Sequence, residues 1–241
     1  MKKQLENKTV LVIGGSSGIG LSIAQEAIEQ GGSVIIAGRS SSKLDDAKAQ
    51  LGNTVTTKTV DINSQQSIQN LFADISHIDH LAITGPAPNF GAFQDLDPST
   101  VKQEFEGKFW GQYIATQQAL KVMSDGGSIT LMSGAYSQRP VQGATSLAAV
   151  QAGIEGLVRG LAAEIPTVRF NAVSPGLTDT PLIRGIFGDQ GTEDLISQTA
   201  ASLPGKYVAK PEDIAQVYLL LMTNPAFTGT TLFPDSGYTL R

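Results

Sequence analysis

The chain contains no cysteine. That excludes a disulfide framework, a thiolate metal site and a cysteine nucleophile. It also lacks any long block of basic residues, and its net charge is −5 over 241 residues. Nucleic acid is therefore not an expected partner. The opening residues Met1–Asn7 lack the apolar core of a signal peptide. No apolar run approaches the about 18 residues that cross a bilayer. A cytoplasmic protein without a membrane partner is expected. No internal repeat, low-complexity tract or linker interrupts the chain, and 41% of it is hydrophobic against 16% charged. This balance suits one large α/β domain spanning residues 1–241.

What is present is a glycine-rich turn, Gly14-Gly15-Ser16-Ser17-Gly18-Ile19-Gly20, directly after the apolar run Thr9–Ile13. A buried strand thus runs into a turn that opens a helix. Such a turn cradles a pyrophosphate: Gly14 permits the tight bend, Gly18 lets the backbone approach the phosphates, and Gly20 lets the helix pack on the strand. The following residues Ile19, Ile23 and Ala27 keep helical spacing, as this reading requires.

Further along, apolar runs alternate with helical patterns. Strands are predicted at 8–13, 33–37, 54–60, 79–84, 127–132, 167–173 and 230–234. Helices are predicted at 18–30, 42–51, 64–75, 98–123, 146–164, about 190–202 and 211–223. Many of the strand runs lack period-two alternation, as strands covered on both faces do. The alternation predicts an α/β fold with a doubly wound parallel sheet of about seven strands. Within 181–205, glycines alternate with large apolar residues, and this segment is read as a lid over a substrate site.

The second strand ends Ala37-Gly38-Arg39-Ser40. At this strand tip an acid would take the 2′-hydroxyl of NAD, whereas an arginine accommodates the 2′-phosphate of NADP. Arg39, helped by Ser40 and Lys43, therefore points to NADP(H) in preference to NAD(H). Asp61 and Ile62 end the third strand and are placed at the adenine edge; Asp61 as a cap of the helix 64–75 is the alternative.

With these residues in view, the whole chain resembles a short-chain dehydrogenase/reductase. The glycine turn matches that family's TGxxxGIG motif, with Ile13 in place of threonine. The run Asn171-Ala172-Val173-Ser174-Pro175-Gly176-Leu177-Thr178-Asp179-Thr180 matches its NxVxPGxxxT segment, and Pro234–Tyr238 resembles its VDGGY. The resemblance implies a seven-stranded Rossmann sheet. It also implies that Pro175, Gly176, Leu177 and Thr180 meet the nicotinamide end, and that Thr84 and Gly85 stand where the family carries NNAG. A homodimer or homotetramer is implied as well, paired through the helices 98–123 and 146–164.

The family's reduction chemistry uses an Asn-Ser-Tyr-Lys tetrad. Matching Gln151–Arg159 to its KxAxxGLxR helix puts Gln151 at the lysine, Leu147 at the tyrosine and Gly134 at the serine. Matching Lys108–Gly111 to NxxG puts Lys108 at the asparagine. All four positions differ, and none of the tyrosines has a lysine four residues on. Leu147 cannot transfer a proton. The candidates left for chemistry are Lys108, desolvated among Phe105, Phe109 and Trp110, then Ser133 and Tyr136, with Arg139, Gln142 and Asp179 nearby. Gln151 remains able to bond the nicotinamide ribose. His77 and His80 are expected at the surface, at the opposite end of the sheet.

Three functions stay open on this basis. The first is an atypical NADP(H)-dependent oxidoreductase acting on a small organic substrate that needs little acid help. The second is a non-catalytic NADP(H)-binding sensor or assembly subunit. The third is a lyase or isomerase using the same cleft.

Overall fold

The computed structural model describes residues 3–86 and 88–240. Seven strands form one sheet: β1 (Thr9–Ile13), β2 (Ser33–Gly38), β3 (Thr56–Thr59), β4 (Ile78–Ile83), β5 (Met123–Met132), β6 (Arg169–Val173) and β7 (Thr231–Leu232). Every pair is parallel, and the order is β3-β2-β1-β4-β5-β6-β7. The helices are α1 (Gly18–Glu29), α2 (Ser41–Leu51), α3 (Gln65–Ala73), α4 (Pro98–Phe105), α5 (Gly111–Ala119), α6 (Thr145–Glu164), α7 (Pro181–Ser202) and α8 (Pro211–Thr223).

Both faces of the sheet are covered, which is why its strands read as unbroken apolar runs. Along β1, Leu11 and Ile13 enter one core with Ile68, Leu71, Ala115 and Ile154 of α3, α5 and α6. Val10 and Val12 enter the other with Ile23, Ala27, Ile214 and Tyr218 of α1 and α8. The chain turns one way from β1 to β2 and β3, and the other way from β4 onward. A crevice therefore opens beyond the carboxyl ends of β1 and β4, where such sheets bind ligands.

Several elements differ from the sequence expectation. The helix expected over 98–123 ends at Ala119 and contains a π-helical turn, Glu106–Trp110, between α4 and α5. Gly107 and Gly111 allow this wide turn to press inward: a Cβ at Gly111 would lie 2.6 Å from Ile62 Cγ1. The fifth strand begins at Met123, because its pairing with β4 shifts register between Ile78 and His80. The seventh is only Thr231–Leu232. The segment 181–205 is helical from Pro181, nine residues earlier than expected. Thr180 caps it, Pro181 starts it, and Gly188 (φ 68°, ψ 172°) breaks it. Asp61 does not cap α3: Ser64 does, and Asp61 Oδ1 instead accepts from Asn63 N at 3.0 Å. His80 is buried, its Nδ1 2.9 Å from Ser128 Oγ.

Candidate active site

The glycine turn sits at the mouth of the crevice. Gly14 adopts φ +88°, and a Cβ there would collide with Thr84 Oγ1. Thr84 ties the tips of β1 and β4 through Thr84 N to Ile13 O, 2.9 Å. Gly20 has no room for a side chain because Gly14 O lies against it. Ser17 is the N-cap of α1, yet its side chain makes no capping bond and no acidic residue occupies the first turn. The amino end of α1 thus keeps its N–H groups and positive dipole end for an anion. A Cβ at Gly18 would lie 3.6 Å from Thr180 Cβ. The turn and the segment after β6 therefore face each other across the crevice.

Arg39 is exposed at the end of β2 and makes no ion pair among the described residues. Ser16 borders the same rim, its Oγ 3.5 Å from the position of a Gly38 Cβ. Ser40 caps α2, accepting from Lys43 N at 3.4 Å. On the far side, Gly176 packs on Asp235, whose carboxylate accepts from Gly237 N and Thr239 N, each at 2.9 Å.

The resemblance placed four further residues at the reacting end. Leu147 is fully buried. Gly134 is overlain by the Gln151 carboxamide: a Cβ on Gly134 would fall 2.7 Å from Gln151 Cδ. Gln151 is itself buried, and its Oε1 has no partner among the described residues. Such an orphaned acceptor, enclosed by protein, is uncommon. Lys108 lies in the π-helical turn, where wide turns recur at functional sites. Its Nζ donates to Pro86 O at 2.7 Å and is 3.7 Å from the position of a Gly85 Cβ. Burial pushes the Lys108 amine down to about 8, against an upward pull from the Glu104 charge. It lines a groove of about 420 Å³ with Asn63, Pro86, Asn89 and Glu104, a group that includes neither Tyr136 nor Gln151.

Other candidates are engaged elsewhere. Ser133 Oγ points into α6, donating to Gln151 O (3.1 Å) and Glu155 Oε1 (3.0 Å), so its proton is committed within the fold. Tyr136 stands edge-on between Phe90 and Tyr238, and burial and Tyr238 push its phenol up. Arg139 stacks on the Tyr238 ring at 4.9 Å. Asp179 is neutralised by Arg184 at 2.9 and 2.7 Å. Sequence reasoning missed two buried side chains, Gln112 and Glu155. Gln112 bonds Lys108 O (2.7 Å), Met132 O (2.9 Å) and Met132 N (2.9 Å), fixing the π-helical turn to the tip of β5. A polar residue on an otherwise apolar or small helical face was the available signal for each.

A parallel sheet in this order, with an uncapped, glycine-framed helix terminus at its switch point, defines a dinucleotide-binding Rossmann protein. Residues 14–239 match the family model described as Enoyl-(Acyl carrier protein) reductase. The chain is 34% identical to the short-chain dehydrogenase/reductase malC of Malbranchea aurantiaca, over 98% of this chain and 96% of that protein. It is 28% identical to a cis-4-hydroxycyclohexanecarboxylate dehydrogenase of Sinomonas cyclohexanicum, over 99% of both. Among solved structures, the MalC reductase/Diels-Alderase of M. aurantiaca superposes with a TM-score of 0.92 at 31% identity, covering 100% of this chain and 99% of that one. A small-chain dehydrogenase in complex with NADPH superposes with a TM-score of 0.83 at 30% identity, covering 98% and 100%. The chain belongs to the short-chain dehydrogenase/reductase family. It is of the oxidoreductase type, and its family uses a nicotinamide cofactor.

Proposed function

We propose that the protein is an NADP(H)-dependent oxidoreductase for a small organic substrate, working without the Tyr–Lys acid of the family's tetrad. The observation that carries this reading is Arg39, exposed beside Ser16 of the glycine turn with no carboxylate paired to it among the described residues. A planar guanidinium so placed suits a 2′-phosphate. The bound cofactor supplies or accepts the hydride. The remaining work falls to the chain. The amino end of α1 holds the pyrophosphate, Asp61 and Ile62 border the adenine, and Gln151 meets the ribose. Pro175, Gly176, Leu177 and Thr180 hold the carboxamide.

With Leu147 and Gly134 at the reacting end, the substrate must need little protonation, as an iminium or a conjugated enone does. A carbonyl qualifies if Lys108 polarises it from the π-helical turn, where its amine lies beside Pro86. Leu182, Ile186 and Phe187 are exposed on α7 and would form the underside of a lid hinged at Gly188. A homodimer or homotetramer fits the exposed Trp110 and its edge-on contacts with Phe109 and Tyr113. A cytoplasmic setting fits the absence of cysteine.

A second reading, a non-redox activity in the same crevice, draws on the likeness to the MalC reductase/Diels-Alderase. Calorimetric titration with NADPH and NADH side by side tests the main proposal. NADPH binding tighter than NADH by about tenfold or more matches one charge-assisted phosphate contact, about 1.5–3 kcal/mol. Binding of neither cofactor overturns it.

A further inference from the structure

Glu155 lies on α6 one turn beyond Gln151, and only 3% of it is exposed. Its Oε1 accepts from Ser133 Oγ (3.0 Å) and from Ser137 Oγ, and its Oε2 accepts from Gln138 Nε2 (3.0 Å). No lysine, arginine or histidine pairs with it among the described residues. A buried carboxylate without a cation gives up hydration that no ion pair returns, and an apolar side chain would fill the same space without that loss. What the carboxylate provides is direction: all three donors come from residues 133–138.

That segment leaves the tip of β5 and crosses the reacting end of the crevice. Ser133 N bonds Val173 O at 2.8 Å, and Ala135 N bonds Pro175 O at 3.1 Å, so the segment also carries the Pro175–Gly176 turn. It presents Gly134 beneath the Gln151 amide and Tyr136 between Phe90 and Tyr238. Ser133 Oγ additionally reaches Gln151 O at 3.1 Å, closing the loop from Glu155 back to the residue above Gly134.

We infer that Glu155 is a positioning residue: its buried carboxylate fixes segment 133–138 against α6 and so sets the Gln151 amide and the Pro175 turn in register for the cofactor. This rests on the reading that the crevice binds a nicotinamide cofactor. A carboxylate accepts from all three donors at once, whereas a carboxamide presents an N–H₂ to one or more of them. Glu155→Gln is therefore nearly isosteric while it removes the charge and one of the two acceptor oxygens.

The test compares the wild-type chain with Glu155→Gln by hydrogen exchange of the peptide covering 134–139 and by NADPH titration. We expect cooperative unfolding to persist, exchange of that peptide to accelerate, and the NADPH dissociation constant to rise at least about fivefold, which corresponds to about 1 kcal/mol. Unchanged exchange overturns the inference. Faster exchange with unaltered NADPH affinity also overturns it, because Glu155 is then a packing residue only. Should Glu155→Gln not fold, Ser137→Ala removes one donor and is judged by the same two readouts. Wild-type protein that binds no NADPH is a different failure: it removes the cofactor reading, and this inference with it.

Discussion

The carboxamide of Gln151 occupies the space that a side chain at position 134 would need. A Cβ on Gly134 would meet Gln151 Cδ at 2.7 Å and its Oε1 at 3.0 Å. Gly134 itself sits at φ 173°, ψ 156°, an extended backbone that any residue adopts. The glycine is thus required by its neighbour and not by its own conformation. The two positions that the family resemblance assigns to serine and lysine are thus in direct contact.

Gly134→Ala should therefore displace a flexible amide at small cost to stability, about 1 kcal/mol. The NADPH affinity should fall by about tenfold if Gln151 donates to or accepts from the ribose. Gln151→Ala should cause a similar loss, and the double variant no more than either alone. Titration of all three variants measures the coupling; full additivity would separate the two residues.

Arg39→Ala should weaken NADPH by about 10- to 100-fold and leave NADH unchanged, since only the phosphate contact is removed. An equal loss for both cofactors would place Arg39 away from the 2′-position.

Lys108 titrates at about 8 because burial disfavours its charge. The ammonium form predominates below that value and is lost as pH rises through it. Turnover that uses the positive charge should decline across the same range. Lys108→Arg should flatten this limb, and Lys108→Ala should abolish turnover with NADPH affinity nearly intact. Unaltered turnover in Lys108→Ala would sink the role given to this residue.

The base of the sheet predicts acid sensitivity. Burial pushes His80 down to about 4, with the Asp79 charge opposing. The unfolded chain takes up that proton near 6.5, so stability falls as pH drops from about 6.5 toward 4. Asp79 is pushed up by burial, yet hydrogen bonds from Thr9 N, Lys8 and Ser124 outweigh this and hold it at about 2. Its contribution is lost lower, between about 4 and 2. Denaturant unfolding should show a loss of about 2 kcal/mol between about pH 7 and pH 5, and His80→Phe should remove that slope.

Gly188 has φ 68° and ψ 172°, a region open essentially to glycine alone. Gly188→Ala should cost about 1–3 kcal/mol or straighten α7. Thermal unfolding and far-ultraviolet circular dichroism distinguish the two. If α7 is the lid, substrate KM should rise while NADPH affinity holds.

The fold was legible because its signals are local and periodic. Apolar runs without alternation marked strands covered on both faces, and Gly14, Gly18 and Gly20, set between a strand and an amphipathic helix, marked a phosphate-binding turn. The alternation of strands with helices marked a parallel, doubly wound sheet, while the strand order β3-β2-β1-β4-β5-β6-β7 is a finding of the structure. The expectation of altered tetrad positions at Leu147 and Gln151 came through the family resemblance. What the sequence could not give depends on residues brought together from distant segments. Glu155 finds its donors at Ser133, Ser137 and Gln138 only once α6 docks beside β5. His80 is buried because a register shift brings Ser128 opposite it. Ser133 turns inward because its hydroxyl meets Glu155 on α6. The Lys108 amine loses its water because the π-helical turn presses it onto Pro86. Periodicity encodes which face is buried, but the partner of a buried polar group is chosen by packing, and that choice exists only in the folded chain.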